Sequence, residues 1–263
     1  MAEGLSGLRS GAELREEAER YLATVVLAPE LGGLEEAMRY ALGSGGKRVR
    51  PVLCLATAEA SGGTIEEALP AAAAVELVHT FSLVHDDLPA LDDDAVRRGR
   101  PSLHAAFGEA IALLAGDALL AEALRLALSY SDPEIPRELA RATLGMIGGQ
   151  YRDVTEAHGD LASLHRLKTG RLFAASVGLG LRVSGAPEAE HGPWRAFADE
   201  LGLLYQVVDD DLDRDGFAAE LGTNGARRLA DDVAARARAR LADLPVDTTV
   251  LQELVDELAV RTS

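Results

Sequence analysis

Residues 75–101, VELVHTFSLVHDDLPALDDDAVRRGRP, decide how this chain is read. Five aspartates (Asp86, Asp87, Asp92, Asp93 and Asp94) fall within nine residues, and Arg97, Arg98 and Arg100 follow. The residues ahead of them include Val75, Leu77, Val78, Phe81, Leu83 and Val84, all apolar. A solvated helix face intersperses its charges, so an apolar run ending in crowded carboxylates points elsewhere. Such carboxylates repel one another unless a cation sits between them. Oxygen-only ligands select a hard ion, and Mg²⁺ is commonly shared between carboxylates and substrate phosphates. The arginines suit the same partner, because a guanidinium fork matches phosphate oxygens.

A second cluster lies far downstream. Residues 203–215, LLYQVVDDDLDRD, carry Asp209, Asp210 and Asp213 at the end of another apolar run. Asp213 lies at i+4 from Asp209 and i+3 from Asp210, so the three share one helix face, with Gln206 a turn earlier. Two such helices facing each other across a bundle make one acidic cavity.

Apolar periodicity predicts helices over 11–29, 34–42, 66–84, 108–128, 135–148, 161–177 and 194–213, with an amphipathic C-terminal helix beyond. Another opens at Pro51, after the glycines of residues 43–46 and the cations Lys47, Arg48 and Arg50. Residues 181–193 read as the clearest loop, and no strand-like alternation or internal repeat persists. The expectation is an all-α, single-domain antiparallel helical bundle spanning 1–263. Pro89 should stop the helix inside the acidic stretch and swing Asp92 back towards Asp86.

Composition narrows the partners. A net charge of −17 argues against nucleic acid, and Cys54 alone cannot build a disulfide framework. No apolar run approaches the roughly 20 residues that span a bilayer, and the acidic N-terminus has no apolar signal core, so a cytoplasmic protein without a membrane span is expected. Only two of the 26 basic residues are lysines, Lys47 in GGKRVRP and Lys168 in LKTG. An ammonium and a guanidinium are not interchangeable against phosphate, so both lysines are read as diphosphate ligands.

HDDLPALDDDAVRRGRP and YQVVDDDLD, with GSGGKRVRP, GDALL, GGQYRDV and KTGRLFAAS in order, resemble the motifs of the trans-isoprenyl diphosphate synthases, the polyprenyl synthetase family. The likeness runs from about Leu34 to about Asp215. It implies an isoprenoid-synthase bundle around an acidic-mouthed apolar cavity, and Mg²⁺-dependent, head-to-tail condensation of isopentenyl diphosphate with an allylic diphosphate. By the resemblance, Asp86, Asp87 and Asp92 would hold two ions and Asp209 with Asp213 a third, about three Mg²⁺ in all. Asp86, Asp87, Lys168, Asp209 and Asp210 form the implied catalytic group. Arg97, Lys168, Thr169 and Gln206 would hold the allylic diphosphate, and Lys47, Arg50, His79 and Arg98 the isopentenyl diphosphate. Phe81 and Ser82, just before the first acids, would limit chain length. That implies farnesyl diphosphate as product, with geranylgeranyl diphosphate the alternative, and a homodimer as the assembly. Gln150 and, less so, Asp153 could face the cavity, whereas His85 and Asp117 are read as structural.

The tail departs from the family. After the second motif, where a lysine is usual, DRDGFAAELGTNGARRLADD is shortened and contains none. A diphosphate contact is either missing or supplied by Arg214, Arg227 or Arg228. Two other readings stand beside the transferase. A class I terpene cyclase also pairs acidic clusters, but needs no second diphosphate pocket. A silent subunit of a heteromeric synthase would explain the tail, but not two intact acidic motifs.

Overall fold

The computed structural model describes residues 8–155, 160–214 and 216–260. Residues 1–7 of the acidic N-terminal stretch, and Asp215 where the resemblance ends, lie outside the described residues. Thirteen α-helices account for most of the described residues: α1 Gly11–Thr24, α2 Leu34–Leu42, α3 Val49–Ala60, α4 Ile65–Asp86, α5 Leu103–Phe107, α6 Glu109–Ala127, α7 Glu134–Val154, α8 Leu161–His165, α9 Arg171–Val183, α10 His191–Asp213, α11 Gly216–Leu221, α12 Thr223–Ala242 and α13 Thr249–Val260. The one sheet among the described residues is a hairpin of β1 Val96–Arg97 and β2 Arg100–Pro101, which sequence patterning missed because each strand is two residues long.

The bundle is built around α4. Thr64 caps it by accepting from the Glu67 N–H, and alanines 71–74 then keep its girth small. Helices α3, α6 and α9 pack around it, and most of its residues, from Ile65 to Val84, are buried. A helix covered on every side has no need of a polar face. Among the described residues α4 alone is long and apolar enough to cross a membrane by length and composition, and it is mostly buried inside the bundle. This corrects the expectation that no apolar run reaches such a length; its apolarity is met by the surrounding helices. The second acidic motif rides on α10, which packs against α9 and α12.

Several boundaries differ from the sequence reading, among them the end of α7, which runs on to Val154 instead of stopping at 148; three of the differences have a clear local reason. Helix α1 stops at Thr24, not at residue 29, because Val25 turns extended and Arg39 reaches across to take the carbonyls of Leu22 and Val25, at 2.8 and 2.6 Å. The segment from α8 to α9 runs on to Val183 through a π-helical turn, Arg166–Gly170. Leu179 and Leu181 are buried there, and Gly180 lets the helix meet α3, since a Cβ would stand 2.6 Å from the Cys54 carbonyl. The expected loop over 181–193 shrinks accordingly, because α10 begins already at His191.

Pro70 sits inside α4 and cannot donate to the helix ladder. Tyr130 repairs the ladder beside it: its hydroxyl accepts from the Ala71 N–H at 3.0 Å and donates to the Glu67 carbonyl at 2.5 Å. Tyr130→Phe leaves that N–H without its partner and should destabilise the fold by about 1–3 kcal/mol. Chemical denaturation followed by circular dichroism measures this; an unchanged midpoint would show that the hydroxyl is dispensable.

Candidate active site

The first motif folds back on itself at the end of α4. Asp87 caps the helix, and beyond Pro89 the Asp92 N–H donates to the Asp86 carbonyl at 2.9 Å while Asp93 takes a φ of 53°. Pro89 therefore returns Asp92 to Asp86, as expected. The chain then enters the hairpin, whose turn residues Arg98 and Gly99 have φ of 53° and 75°. Positive φ at both central positions suits the tight two-residue turn. Arg97 runs back to Asp87 and Asp94. Arg98 crosses to the Gly45 carbonyl. Gly46, with φ of 131°, has the Arg98 guanidinium 2.5 Å from where a Cβ would stand. The glycine-rich turn is shaped to admit that arginine.

The π-helical turn forms the opposite wall. A π turn widens the helix by one residue and re-aims the side chains it carries. Gly149 of α7 lets the turn approach, since a Cβ there would lie 2.6 Å from the Lys168 backbone nitrogen. Lys168 pairs with Asp153, and the Thr169 hydroxyl donates to Gln206 at 2.8 Å. Gln206 donates in turn to Asp210 at 2.6 Å. Asp210 also accepts the Phe217 N–H at 2.9 Å and lies 3.3 Å from His165 Nε2. Burial opposes its charge, but His165, Phe217 and Gln206 together hold the Asp210 carboxyl below its usual range. Asp86 has no such support. Burial, reinforced by Asp92 and Asp87, pushes it up to about 6 against the pull of Lys168 and Arg97.

These groups share a cavity of about 1190 Å³. Asp86, Asp209, Asp210, Lys168, Thr169 and Gln206 line its mouth, with Arg97 and Arg98 beside them, and Phe81, Ser82, Leu120 and Met146 lie further along its wall. A second recess of about 370 Å³ is lined by Lys47, Arg50, His79 and Arg98, the four residues grouped by the resemblance. Arg50, His79 and Arg98 border both spaces. Arg50 lies over Phe173 at 4.7 Å and Tyr205 at 5.4 Å, and its buried Nε has no hydrogen-bond partner. Arg48 instead pairs with buried Glu76 at 2.6 Å and donates to the Leu42 carbonyl, which makes it a brace for the recess.

Other expected residues stand off the cavity wall. Asp87 is buried beneath Arg97, Asp92 lies beside Asp86 without lining the space, and Asp213 is exposed at the end of α10. The oxygen of Gln150 faces the cavity buried and without a partner. Arg214, Arg227 and Arg228 are exposed and line neither space, and Arg227 pairs with Asp211 at 3.4 Å. From α11 the cavity is lined by Gly216 and Glu220, neither of them a cation. Sequence reasoning missed His165 and Tyr205, although His165 lies three residues before Lys168, on the same face of a helix.

Whether a metal fits can be judged from the donors. Asp86, Asp209 and Asp210 offer only oxygens, the half-buried Asp86 carboxyl is held up to about 6, and Lys168 already neutralises Asp153 across the mouth. A hard divalent cation suits such a set. Among the described residues no three His, Cys, Asp or Glu side chains converge closely enough to cage an ion. Protein oxygens therefore supply only part of a coordination shell, leaving room for ligand oxygens.

An all-α bundle whose central cavity opens through two facing aspartate-rich helix ends, beside a cationic recess, is the architecture of the isoprenoid synthases. Residues 32–234 match the polyprenyl synthetase family, and the chain belongs to it. It is 36% identical to the farnesyl diphosphate synthase of Bacillus subtilis over 262 residues, 87% of this chain and 88% of that one. It is 44% identical to the chloroplastic heterodimeric geranylgeranyl pyrophosphate synthase large subunit 1 of Arabidopsis thaliana over 218 residues, 76% of this chain but only 59% of that subunit's length. Among solved structures, the geranyltranstransferase of Thermotoga maritima superposes with a TM-score of 0.85 at 29% identity, covering 96% of this chain and 98% of that one.

Burial, and then the nearby charges of Arg50, Arg98, Arg48 and Arg97, hold the His79 imidazole well below its usual range. The unfolded chain then takes up a proton, near the ordinary histidine pKa of about 6.5, that the folded chain refuses. His79's contribution to stability is present above that pH and is lost as pH falls below it. Denaturation midpoints measured at neutral and mildly acidic pH should converge more in His79→Asn than in the unaltered chain. Equal pH slopes in the two proteins would contradict a neutral His79.

Proposed function

We propose that the protein condenses isopentenyl diphosphate with an allylic diphosphate, head to tail, to a short-chain product, farnesyl diphosphate. The juxtaposition of the acidic mouth with the separate cationic recess carries this reading, because two diphosphates need two sites. A class I cyclase has no use for a recess of Lys47, Arg50, His79 and Arg98. The names of the plant relatives favour geranylgeranyl diphosphate as a second reading. The family resemblance adds a homodimer and a single domain, shortened after about residue 215.

The chemistry asks the protein to hold a leaving group as it gains charge and to keep water from the cation left behind. Mg²⁺, held by Asp86 with Asp87 and Asp92 and by Asp209 with Asp210 and Asp213, would neutralise the departing diphosphate. Lys168 must exchange Asp153 for diphosphate oxygens, while Thr169 and Gln206 fix the opposite wall. Arg97, released from Asp87 and Asp94, can reach the same diphosphate. In the recess, Arg50, Arg98 and Lys47 offer positive charge. A neutral His79 contributes a hydrogen bond that orients the second substrate against the first. Phe81, Leu120 and Met146 then surround an apolar tail. The departing diphosphate itself serves as the proton acceptor.

Asp86→Ala and Asp210→Ala should each lower turnover with labelled isopentenyl diphosphate by orders of magnitude while helical circular dichroism is unchanged. Near-normal turnover of either variant at saturating Mg²⁺ would refute a site shared by both motifs. Phe81→Ala should lengthen the products by at least one five-carbon unit, read by chromatography of the dephosphorylated alcohols. An unchanged distribution would remove Phe81 as the end-stop.

A further inference from the structure

Phe81 does not stand alone at the wall of the cavity. His85 follows at i+4 on α4, and its ring meets the Phe81 ring edge-on, with centroids 4.9 Å apart and planes at 70°. His85 is itself anchored from the neighbouring helix: its Nε2–H donates to the Leu113 carbonyl of α6 at 3.1 Å. The anchor depends on Gly116, one turn further along α6, because a Cβ at that position would overlap the imidazole at Nε2. His85 thus lies in a notch that only a glycine leaves open. Phe81, His85 and Leu120 all border the cavity that would receive the growing chain.

A phenylalanine limits a cavity only if its ring cannot rotate aside. Phe81 borders the cavity, so a contact that opposes rotation of its ring must come from a neighbouring side chain. His85 supplies it, and the bond to Leu113 satisfies the imidazole's donor where it borders an apolar cavity. We propose that His85, seated on Gly116, is the positioning residue that fixes Phe81 as the end-stop. Product length is then set by a unit bridging α4 and α6 instead of by one side chain. The proposal rests on the prenyl-transfer reading above and deepens it.

The test uses the full chain with Mg²⁺, labelled isopentenyl diphosphate and geranyl or farnesyl diphosphate, and reads product length instead of rate. A side chain that merely supports the fold would slow every product equally. His85→Ala should lengthen the distribution by at least one five-carbon unit, and so should His85→Leu, which keeps the volume but loses both ring and donor. His85→Phe, which keeps a ring against Phe81, should stay close to the original distribution. Gly116→Ala drives the imidazole out of its notch and off the Phe81 ring, and should lengthen the distribution as His85→Leu does. In a Phe81→Ala background, His85→Leu should add no further length, since nothing remains to be held. The proposal is overturned if His85→Leu and Gly116→Ala both keep the original distribution, or if His85→Leu adds a full unit beyond Phe81→Ala. Absence of any condensation product from the unaltered chain would refute the transferase reading itself, and this proposal with it.

Discussion

Mutual repulsion between carboxylates is the constraint around which the rest of the molecule is arranged. Two helix ends, those of α4 and α10, deliver acids to the same mouth, and a fold that did only this would be opposed by its own charge. The protein answers the two halves differently. Asp210 is supported by His165, Gln206 and the Phe217 N–H, so its charge is stabilised by the polypeptide alone. Asp86 lies half-buried beside like charges and is held up to about 6. One wall is thus preorganised, and the other awaits a cation.

The same logic explains the ion pairs around the mouth. Lys168 rests on Asp153, and Arg97 on Asp87 and Asp94. A buried charge without a partner is costly, so cations meant for a diphosphate need somewhere to sit in its absence. Each pair is at least partly open to solvent, which keeps the exchange of one anion for another from being prohibitive. Arg48 differs: it is paired with Glu76 with both side chains buried, and it braces the wall of the recess.

Glycines set the distances. Gly46 admits Arg98, Gly149 lets the π turn approach α7, Gly116 receives His85, and Gly216 packs against Asp210. Each removes a Cβ where two elements must meet closely, and each meeting positions a side chain at the cavity. The all-alanine stretch of α4 does the same for whole helices, bringing α3, α6 and α9 close enough to enclose the space.

The aspartate spacing, the placement of the only two lysines and the apolar periodicity were enough to determine an all-α chain with two acidic helix ends and a diphosphate chemistry. Those features are local: i,i+3 and i,i+4 neighbours share a face in any helix, and Pro89 must turn the chain wherever it falls. The tertiary structure decided what depends on the meeting of distant segments. His165 became a partner of Asp210 only because a π turn faces α10, and Arg48 a brace only because Glu76 lies across from it. The three tail arginines share the composition of the site but line neither space, since a helix face is defined only once its neighbours are in place. His85 looked structural from its neighbourhood in sequence, and its contact with Phe81 through a notch at Gly116 joins residues of two helices. Sequence fixes which groups can act along one helix; packing fixes which of them meet, because side-chain reach is a few ångströms and the chain between them is not.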